Sequence, residues 1–178
     1  MAIASTLYRF RLDLSDIDRG VYEELDLRVA MHPSESEEYL LTRILAYALS
    51  YEEGLEFTSG LSNNDEPAIR RQTPDGTIHR WIDIGNPAAK RLHKASKASR
   101  AVQVYTYKDP ENLKKDVRGQ QIHKVETIEV FSFSPGFLAE ISPFLKRDNR
   151  WTIIHNEKEL TLTVGEESVI GTLHQHFL

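Results

Sequence analysis

An aspartate interrupts an apolar strand pattern near the middle of the chain. Residues 79–84 alternate in the manner of a β-strand, and Asp83 therefore shares one face of that strand with Trp81. A carboxylate on such a face is costly to bury unless it finds a partner. The fold of this chain must therefore supply one for Asp83.

Other charged residues surround this strand in the sequence. Asp65 and Glu66 precede Pro67 at the start of the neighbouring predicted strand, and Lys94 lies on the helix that follows Asp83. Carboxylates at the ends of adjacent strands can hold Mg²⁺, which takes oxygen ligands. A lysine beside them could offset charge on a phosphate oxygen. The pattern points to chemistry on phosphodiester bonds, with Mg²⁺ or Mn²⁺ as the cofactor.

Composition indicates a single domain over residues 1–178. A chain of this length with 40% hydrophobic residues can bury a sizeable core. It has no cysteine, which excludes disulfides and thiolate metal sites. The first residues lack the basic and apolar regions of a signal peptide, and no apolar stretch approaches membrane-helix length. We therefore expect a cytoplasmic protein with no membrane partner; nothing in the sequence indicates an oligomeric state.

The charge of the chain is distributed unevenly. The formal net charge is -5, yet residues 86–124 contain ten basic and three acidic residues and carry +7, which leaves -12 for the remainder. A cluster of positive charge is typical of a protein that binds a polyanion. The helix within this segment offers four candidate contacts to a nucleic-acid backbone: Lys90, Arg91, Lys97 and Arg100. The alternative interpretation is a solvated helix surface.

Periodicity predicts a mixed α/β (α+β) fold. Alternation over residues 7–14 and 22–31 indicates an N-terminal β-hairpin, and Ser34 with Glu37 resembles a capping box at the start of a helix. Strands at 55–58, 67–71 and 79–84, a helix at 88–99 and a strand at 101–107 are predicted next. Beyond them we expect helices at 110–119 and 135–144, and strands at 125–133, 151–155, 160–164 and 169–173.

The order helix, three strands, helix, strand resembles the core of the PD-(D/E)xK nuclease superfamily. A closer likeness lies between residues 5 and 108, in the stretches His32-Pro33-Ser34-Glu35, Arg43-Ile44-Leu45-Ala46-Tyr47, Phe57-Thr58-Ser59-Gly60-Leu61, Asp65-Glu66-Pro67, Trp81-Ile82-Asp83-Ile84-Gly85-Asn86-Pro87 and Lys94-Ala95. Through these stretches the chain as a whole shows a resemblance to the YaeQ family. It implies a restriction-endonuclease-like core at about residues 34–108, with a mixed sheet, the N-terminal hairpin and additional C-terminal strands.

The resemblance also implies roles for individual residues. Glu38 matches the helix glutamate of the superfamily, with Glu37 as the alternative, and Glu66 or the adjacent Asp65 matches the first strand acid. Asp83 matches the acid of the (D/E)xK strand.

The chain departs from the superfamily pattern at one position. Gly85 stands where the lysine of the motif is expected. Lys94 could reach back from the next helix to replace it, and Lys97 is a second choice.

Two functions compete at this point, beside a purely structural or protein-interaction role that would leave the acids and the basic run without a common geometry. In the first, Glu38, Asp65, Glu66 and Asp83 bind the metal of a nuclease, and Lys94 stabilises charge on the transferred phosphate. In the second, the protein is a catalytically inactive module with a nuclease fold that binds nucleic acid or a protein partner. The geometry around the acids separates them, because an inactive module need not keep its acids together.

Overall fold

The computed structural model describes residues 4–59 and 63–178 of the chain. Residues Met1, Ala2 and Ile3, on which the signal-peptide interpretation depends, lie outside the described residues, as do Gly60 and Leu61 of one family motif. Within the described residues the fold is mixed α+β, with ten β-strands and four α-helices. The chain divides into two compact units, one formed by residues 1–41 and 133–174 and the other by residues 42–132 and 175–178.

The first unit is built around five strands in the order β2-β1-β8-β9-β10. These strands are β1 (Thr6–Asp16), β2 (Val21–Met31), β8 (Asp148–Asn156), β9 (Glu159–Val164) and β10 (Glu167–His176). β1 pairs antiparallel with β2 and parallel with β8, and the remaining pairs are antiparallel. The predicted hairpin is therefore confirmed, and its inward residues share a face with those of β8.

Alternation of side chains sets the core of this first unit. Phe10, Leu12 and Leu14 are buried on β1, while the residues between them are more exposed. Trp151 is buried on β8 and meets Phe10 edge to face, with ring centroids 5.2 Å apart. The short helix α4 (Phe137–Ile141) buries Phe137 and Ile141 in the same unit.

The second unit carries the predicted succession of helices and strands. Its strands lie in the order β7-β6-β5-β4-β3, and they are β3 (Leu55–Phe57), β4 (Ile69–Gln72), β5 (Ile78–Ile84), β6 (Ser99–Thr106) and β7 (Glu129–Phe133). β3, β4 and β5 are antiparallel, whereas β5, β6 and β7 are parallel. A parallel pair needs a crossover, which helix α2 (Ala89–Ala98) provides between β5 and β6.

Helix α2 packs against this sheet through a narrow apolar stripe. Leu92 and Ala95 are fully buried and join Trp81, Val102 and Val104 in one hydrophobic cluster. Helix α3 (Pro110–Val117) adds Leu113 and Val117 to that cluster. Apart from Ala89, which packs against the cluster, and the exposed Ala98, the remaining positions of α2 hold polar and basic residues.

Three sequence predictions need correction. Helix α1 (Glu37–Leu49) is capped by Ser36 and not by Ser34, because the Ser36 hydroxyl accepts a hydrogen bond from the Tyr39 amide at 3.1 Å. The strand predicted at 125–133 begins with a 3₁₀ turn, Val125–Thr127. The helix predicted at 135–144 is shortened to α4 and a following 3₁₀ turn, Ser142–Phe144. In the described parts of the chain, no helix has the length and apolar character needed to span a membrane.

Close packing in the first unit leaves no room for a side chain at Gly171. A Cβ atom added to Gly171 would lie 2.4 Å from Cδ2 of the buried Phe137 ring. We expect Gly171→Ala to lower the free energy of unfolding by about 1–3 kcal/mol, since overpacking forces the ring or the strand to move. Urea denaturation measures this change. Ile170→Ala on the exposed side of the same strand serves as the control, and an equal loss in both variants would contradict the packing argument.

A buried aspartate at the end of β1 predicts an acid-dependent stability. Burial alone would raise the pKa of Asp16, but hydrogen bonds with His155 and Arg19 outweigh it and lower that pKa below the ordinary value. A lowered folded-state pKa contributes stability at neutral pH that is lost as the pH falls through that pKa.

Removal of this carboxylate should therefore remove the acid dependence that it creates. We expect Asp16→Asn to cost about 2–3 kcal/mol at neutral pH and progressively less from about pH 5 downward. Unfolding free energies measured across this pH range test it, with the exposed Asp13→Asn as the matched control. A cost independent of pH would show that the charge of Asp16 plays no part.

Candidate functional site

The partner that Asp83 requires is an arginine from helix α2. Asp83 lies in β5 and its side chain is only 3% exposed. Arg91, in the first turn of α2, donates from Nε to Oδ2 at 2.7 Å and from Nη2 to Oδ1 at 2.8 Å. Both carboxylate oxygens are therefore engaged in a bidentate pair, the strongest geometry for an arginine and a carboxylate.

The same guanidinium connects β5 to the segment that carries the other acids. Nη1 of Arg91 donates to the backbone carbonyl of Asn64 at 2.6 Å, and Nη2 donates to that of Glu66 at 2.8 Å. Its Cζ atom also lies 5.7 Å from the ring centroid of Trp81. Arg91 thus holds residues 64–66 close to Asp83 through hydrogen bonds that a lysine could not make with one head group.

Lys94 contacts the first acid of this segment. Its Nζ atom forms a short ion pair with Oδ1 of Asp65, and this hydrogen bond, followed by the lysine's charge, lowers the pKa of Asp65. The two side chains are 50% and 82% exposed, so solvent screens the pair and its contribution to stability is small. Lys94 is therefore placed beside Asp65, and Arg91 is the cation bound to Asp83.

Glu66 lies at the margin of the same cluster. Its Oε2 atom accepts a hydrogen bond from the Ser59 hydroxyl at 3.2 Å, and its Oε1 atom lies 3.4 Å from Nη1 of Arg70. The backbone of Glu66, and not its carboxylate, meets Arg91. Asp65, Glu66, Asp83, Arg91 and Lys94 thus form one network in the second unit, which we call the acid–arginine cluster.

The backbone explains the glycine two residues after Asp83. Gly85 has φ of +91°, and its amide donates to the carbonyl of Tyr105 at 2.9 Å. A Cβ atom at this position would find ordinary contact distance, 3.7 Å, to Tyr107. Conformation and not space therefore disfavours a side chain here, since residues with a Cβ rarely adopt this φ.

The predicted helix glutamates lie in the first turn of α1. Both Glu37 and Glu38 are exposed, and Oε2 of Glu37 accepts a hydrogen bond from the Ser142 hydroxyl at 2.7 Å. These residues belong to the first compact unit, whereas the acid–arginine cluster belongs to the second. Convergence of Glu38 with Asp83 remains a prediction.

The acid–arginine cluster does not fit a divalent cation as it is arranged. Within residues 4–59 and 63–178, no group of three or more histidine, aspartate or glutamate side chains is arranged to hold a metal ion. A metal at Asp83 would have to take oxygens that Arg91 already occupies. The arrangement favours neutralisation of a buried charge within the protein.

Basic residues of α2 that do not face the sheet form an exposed stripe. Lys90, Lys94 and Lys97 are exposed and follow one another at spacings of four and three, which places them on one side of the helix. Arg100 is exposed just beyond the end of the helix. Of the four predicted nucleic-acid contacts, Lys90, Lys97 and Arg100 therefore present their side chains to solvent, while Arg91 is half-buried against Asp83.

Sequence reasoning predicted Arg91 as a nucleic-acid contact and did not identify its pairing with Asp83, although a signal for that pairing was present. Arg91 precedes Ala95 by four residues and adjoins Leu92, so helical spacing places it at the edge of the buried stripe. An arginine at that edge, directly after a strand with a buried acid, is positioned to reach back to it. This signal was missed because Arg91 was grouped with the neighbouring basic residues as part of one exposed surface.

Comparisons with known proteins identify relatives along nearly the whole chain. A model of the YaeQ protein family matches residues 1–172. The protein named "Uncharacterized protein YaeQ" of Escherichia coli (strain K12) is 35% identical to this chain over 107 residues. That match covers 60% of this chain and 59% of the relative, which is less than two thirds of the relative's length. The protein of the same name from Salmonella typhi is 31% identical over 152 residues, 83% of this chain and 82% of the relative.

Two crystal structures share the fold. The YaeQ protein from Xanthomonas axonopodis pv. citri has a TM-score of 0.90 at 32% identity, covering 97% of this chain and 98% of that one. The YaeQ protein from Pseudomonas syringae has a TM-score of 0.86 at 30% identity, with 96% and 95% covered. The similarity thus extends over both compact units.

The buried pair predicts the cost of neutralising Asp83. Asp83→Asn should lower the free energy of unfolding by about 2–3 kcal/mol, because the half-buried charge of Arg91 is then left with a weaker partner. Chemical denaturation measures the loss. Asp65→Asn is the matched control and should have little effect, since Asp65 is 82% exposed. A more stable Asp83→Asn variant would mean that the carboxylate is strained and not satisfied by Arg91.

Proposed function

The chain belongs to the YaeQ family, and we propose that it is a catalytically inactive nucleic-acid-binding module with a PD-(D/E)xK nuclease-like core. The observation that carries this proposal is the bidentate pair between Arg91 and the buried Asp83. In an active nuclease of this kind, that carboxylate would be available to a metal. Here its charge is used to hold helix α2 and residues 64–66 together.

The exposed stripe of α2 supplies the binding surface. Lys90, Lys94 and Lys97 present three positive charges along one side of the helix, and Arg100 extends the positive surface beyond its end. Helix α2 contains no acidic residue, and the carboxylates that pair with it lie outside the helix, with Asp83 at Arg91 and Asp65 at Lys94. Phosphate groups spaced along a strand are a suitable partner for such a stripe, and contact would release condensed counterions.

A metal-dependent nuclease is the second candidate function, and one observation favours it. Arg91 brings the backbone of residues 64–66 to Asp83, so the two acidic segments of the predicted metal site are neighbours in the second unit. On this alternative Mg²⁺ or Mn²⁺ would displace Arg91 from Asp83. Glu38 and Lys94 would then have their predicted catalytic roles.

Salt dependence tests the binding proposal. The protein should bind single-stranded DNA with an affinity that falls as salt rises from about 50 to about 200 mM. Combined replacement of Lys90, Lys94 and Lys97 by alanine should reduce the slope of log K against log salt by about 2, because about 0.7 counterion is released per contact on a single strand. Fluorescence anisotropy with a labelled oligonucleotide measures this slope.

The matched control variant removes three positive charges from the first unit and leaves the α2 stripe intact. Arg28, Lys146 and Arg150 are exposed there, and their combined replacement by alanine also removes three positive charges. This variant should keep the wild-type slope to within about 0.5 if the α2 stripe makes the contacts. Equal slopes in both triple variants would show that net charge alone matters and would contradict the proposed surface.

Metal addition separates the two candidate functions. A metal ion that binds the folded protein raises its melting temperature by mass action. On the proposed function, neither Mg²⁺ nor Mn²⁺ at millimolar concentration shifts the melting temperature, and no DNA or RNA substrate is cleaved. A metal-dependent shift together with cleavage, both lost in Asp83→Asn, would replace the binding module with the nuclease.

A further inference from the structure

A concave surface lies at the C-terminal end of helix α2, away from Arg91. Its wall is formed by the C-terminal part of α2, the start of β6 and the three residues His123, Lys124 and Thr127, all within the second unit. Its volume is about 370 Å³, which falls within the range of small-ligand sites. We call this surface the basic pocket.

Positive charge dominates the basic pocket. Lys97, Arg100 and Lys124 line it together with His123, and no lining residue is acidic. Elsewhere in the second unit, basic side chains such as Arg91 and Lys114 have carboxylate partners within 4.0 Å. No such ion pair is found for the three cations of the pocket in the parts of the chain that the structure describes. Their mutual repulsion would be relieved by an anion between them.

The backbone of the pocket is held in a conformation that a lysine rarely adopts. Lys124 has φ of 47° and ψ of 42°, in the left-handed region, although it carries a side chain. The amide and the hydroxyl of Thr127 both donate to the Lys124 carbonyl, at 2.9 and 2.7 Å. The amide of His123 donates to Nδ1 of His93 on α2 at 3.2 Å, which fixes this turn against the helix. Such conformations persist where the surroundings enforce them, and they cluster at functional sites.

We propose that the basic pocket binds a phosphomonoester dianion, carried either by the end of a nucleic-acid strand or by a free mononucleotide. Three cations around one concavity match the two negative charges of a terminal phosphate better than the single charge of an internal phosphodiester. A terminal phosphate also has three oxygens to accept hydrogen bonds and only one substituent to be accommodated. The strand-end source rests on the proposed function, whereas the mononucleotide source does not.

The hydroxyl groups in the pocket leave recognition to the cations. The Ser99 hydroxyl donates to the Ala95 carbonyl at 2.7 Å, and the Thr127 hydroxyl donates to Lys124. These two hydroxyl protons are therefore used in hydrogen bonds to the backbone and are not available to a bound anion. Lys97, Arg100 and Lys124 are consequently the residues whose loss should affect binding most, and Arg100 with Lys124 can be replaced without altering the α2 stripe.

The experiment compares three probes: a single-stranded oligonucleotide with a terminal phosphate, the same strand with a terminal hydroxyl, and adenosine monophosphate. Anisotropy with an internally labelled strand and calorimetry with the mononucleotide give the affinities. We expect the phosphorylated strand to bind about tenfold more tightly than the hydroxyl strand, as one charge-assisted contact predicts. We also expect adenosine monophosphate to bind on its own and to compete with the phosphorylated strand.

Paired variants assign any preference to the pocket. Arg100→Ala with Lys124→Gly should abolish the preference for the terminal phosphate and the binding of adenosine monophosphate, and glycine tolerates the left-handed backbone at position 124. Lys115→Ala with Arg118→Ala removes two exposed charges of the same unit outside the pocket and should leave both unchanged. Melting curves confirm that each variant is folded.

The outcomes distinguish this inference from the proposed function. Mononucleotide binding that depends on Arg100 and Lys124, without binding of either strand, supports the pocket and overturns the nucleic-acid-binding module. Equal affinity for both strands with no binding of adenosine monophosphate overturns the pocket and leaves the module in place. A preference that survives in the Arg100 and Lys124 variant also overturns the pocket, and binding of no probe overturns both.

Discussion

The bidentate hydrogen bonds between Arg91 and Asp83 connect the parts of the second unit on which function depends. A buried carboxylate is unfavourable unless it is paired and hydrogen-bonded, and Arg91 satisfies both of its oxygens. The same side chain fixes the start of α2 on β5 and orders residues 64–66 through two carbonyls. One pair therefore positions a helix, a strand and the segment that carries the exposed acids.

This pair also explains how one helix can serve two electrostatic roles. Arg91 lies at the edge of the buried stripe formed by Leu92 and Ala95, so it reaches the sheet. Lys90, Lys94 and Lys97 lie on exposed positions of the same helix. Helical periodicity therefore places the residue that neutralises the buried acid on one side of the helix and the residues that offer charge to a partner on another. A substitution of Arg91 should affect the first role and a substitution of Lys90 or Lys97 the second, whereas Lys94 also pairs with Asp65.

Much of the fold could be predicted from the sequence because its signals are local. Alternation over β1 and β2 and the helical spacing in α1 and α2 depend on neighbours along the chain, and the elements follow in the predicted order. Errors arose where several residues could serve, as when Ser36 and not Ser34 caps α1. The partner of Asp83 was not predicted, because local periodicity cannot decide which of several nearby cations packs against a strand.

The backbone at Gly85 disfavours any side chain, so no cation from that position can neutralise Asp83. In the proposed nuclease-like core, a lysine two residues after the strand acid would place a positive charge beside it. Gly85, however, has a φ of +91° that disfavours any side chain. Asp83 is buried and must be neutralised from elsewhere, and the first turn of α2 brings Arg91 within reach. The guanidinium of Arg91 forms one hydrogen bond to each carboxylate oxygen of Asp83. An ammonium group lacks this planar two-pronged geometry and would engage the carboxylate less completely. If the core is nuclease-like as proposed, an arginine on the helix in place of the strand lysine thus favours a charge-neutral structural pair where the metal would bind.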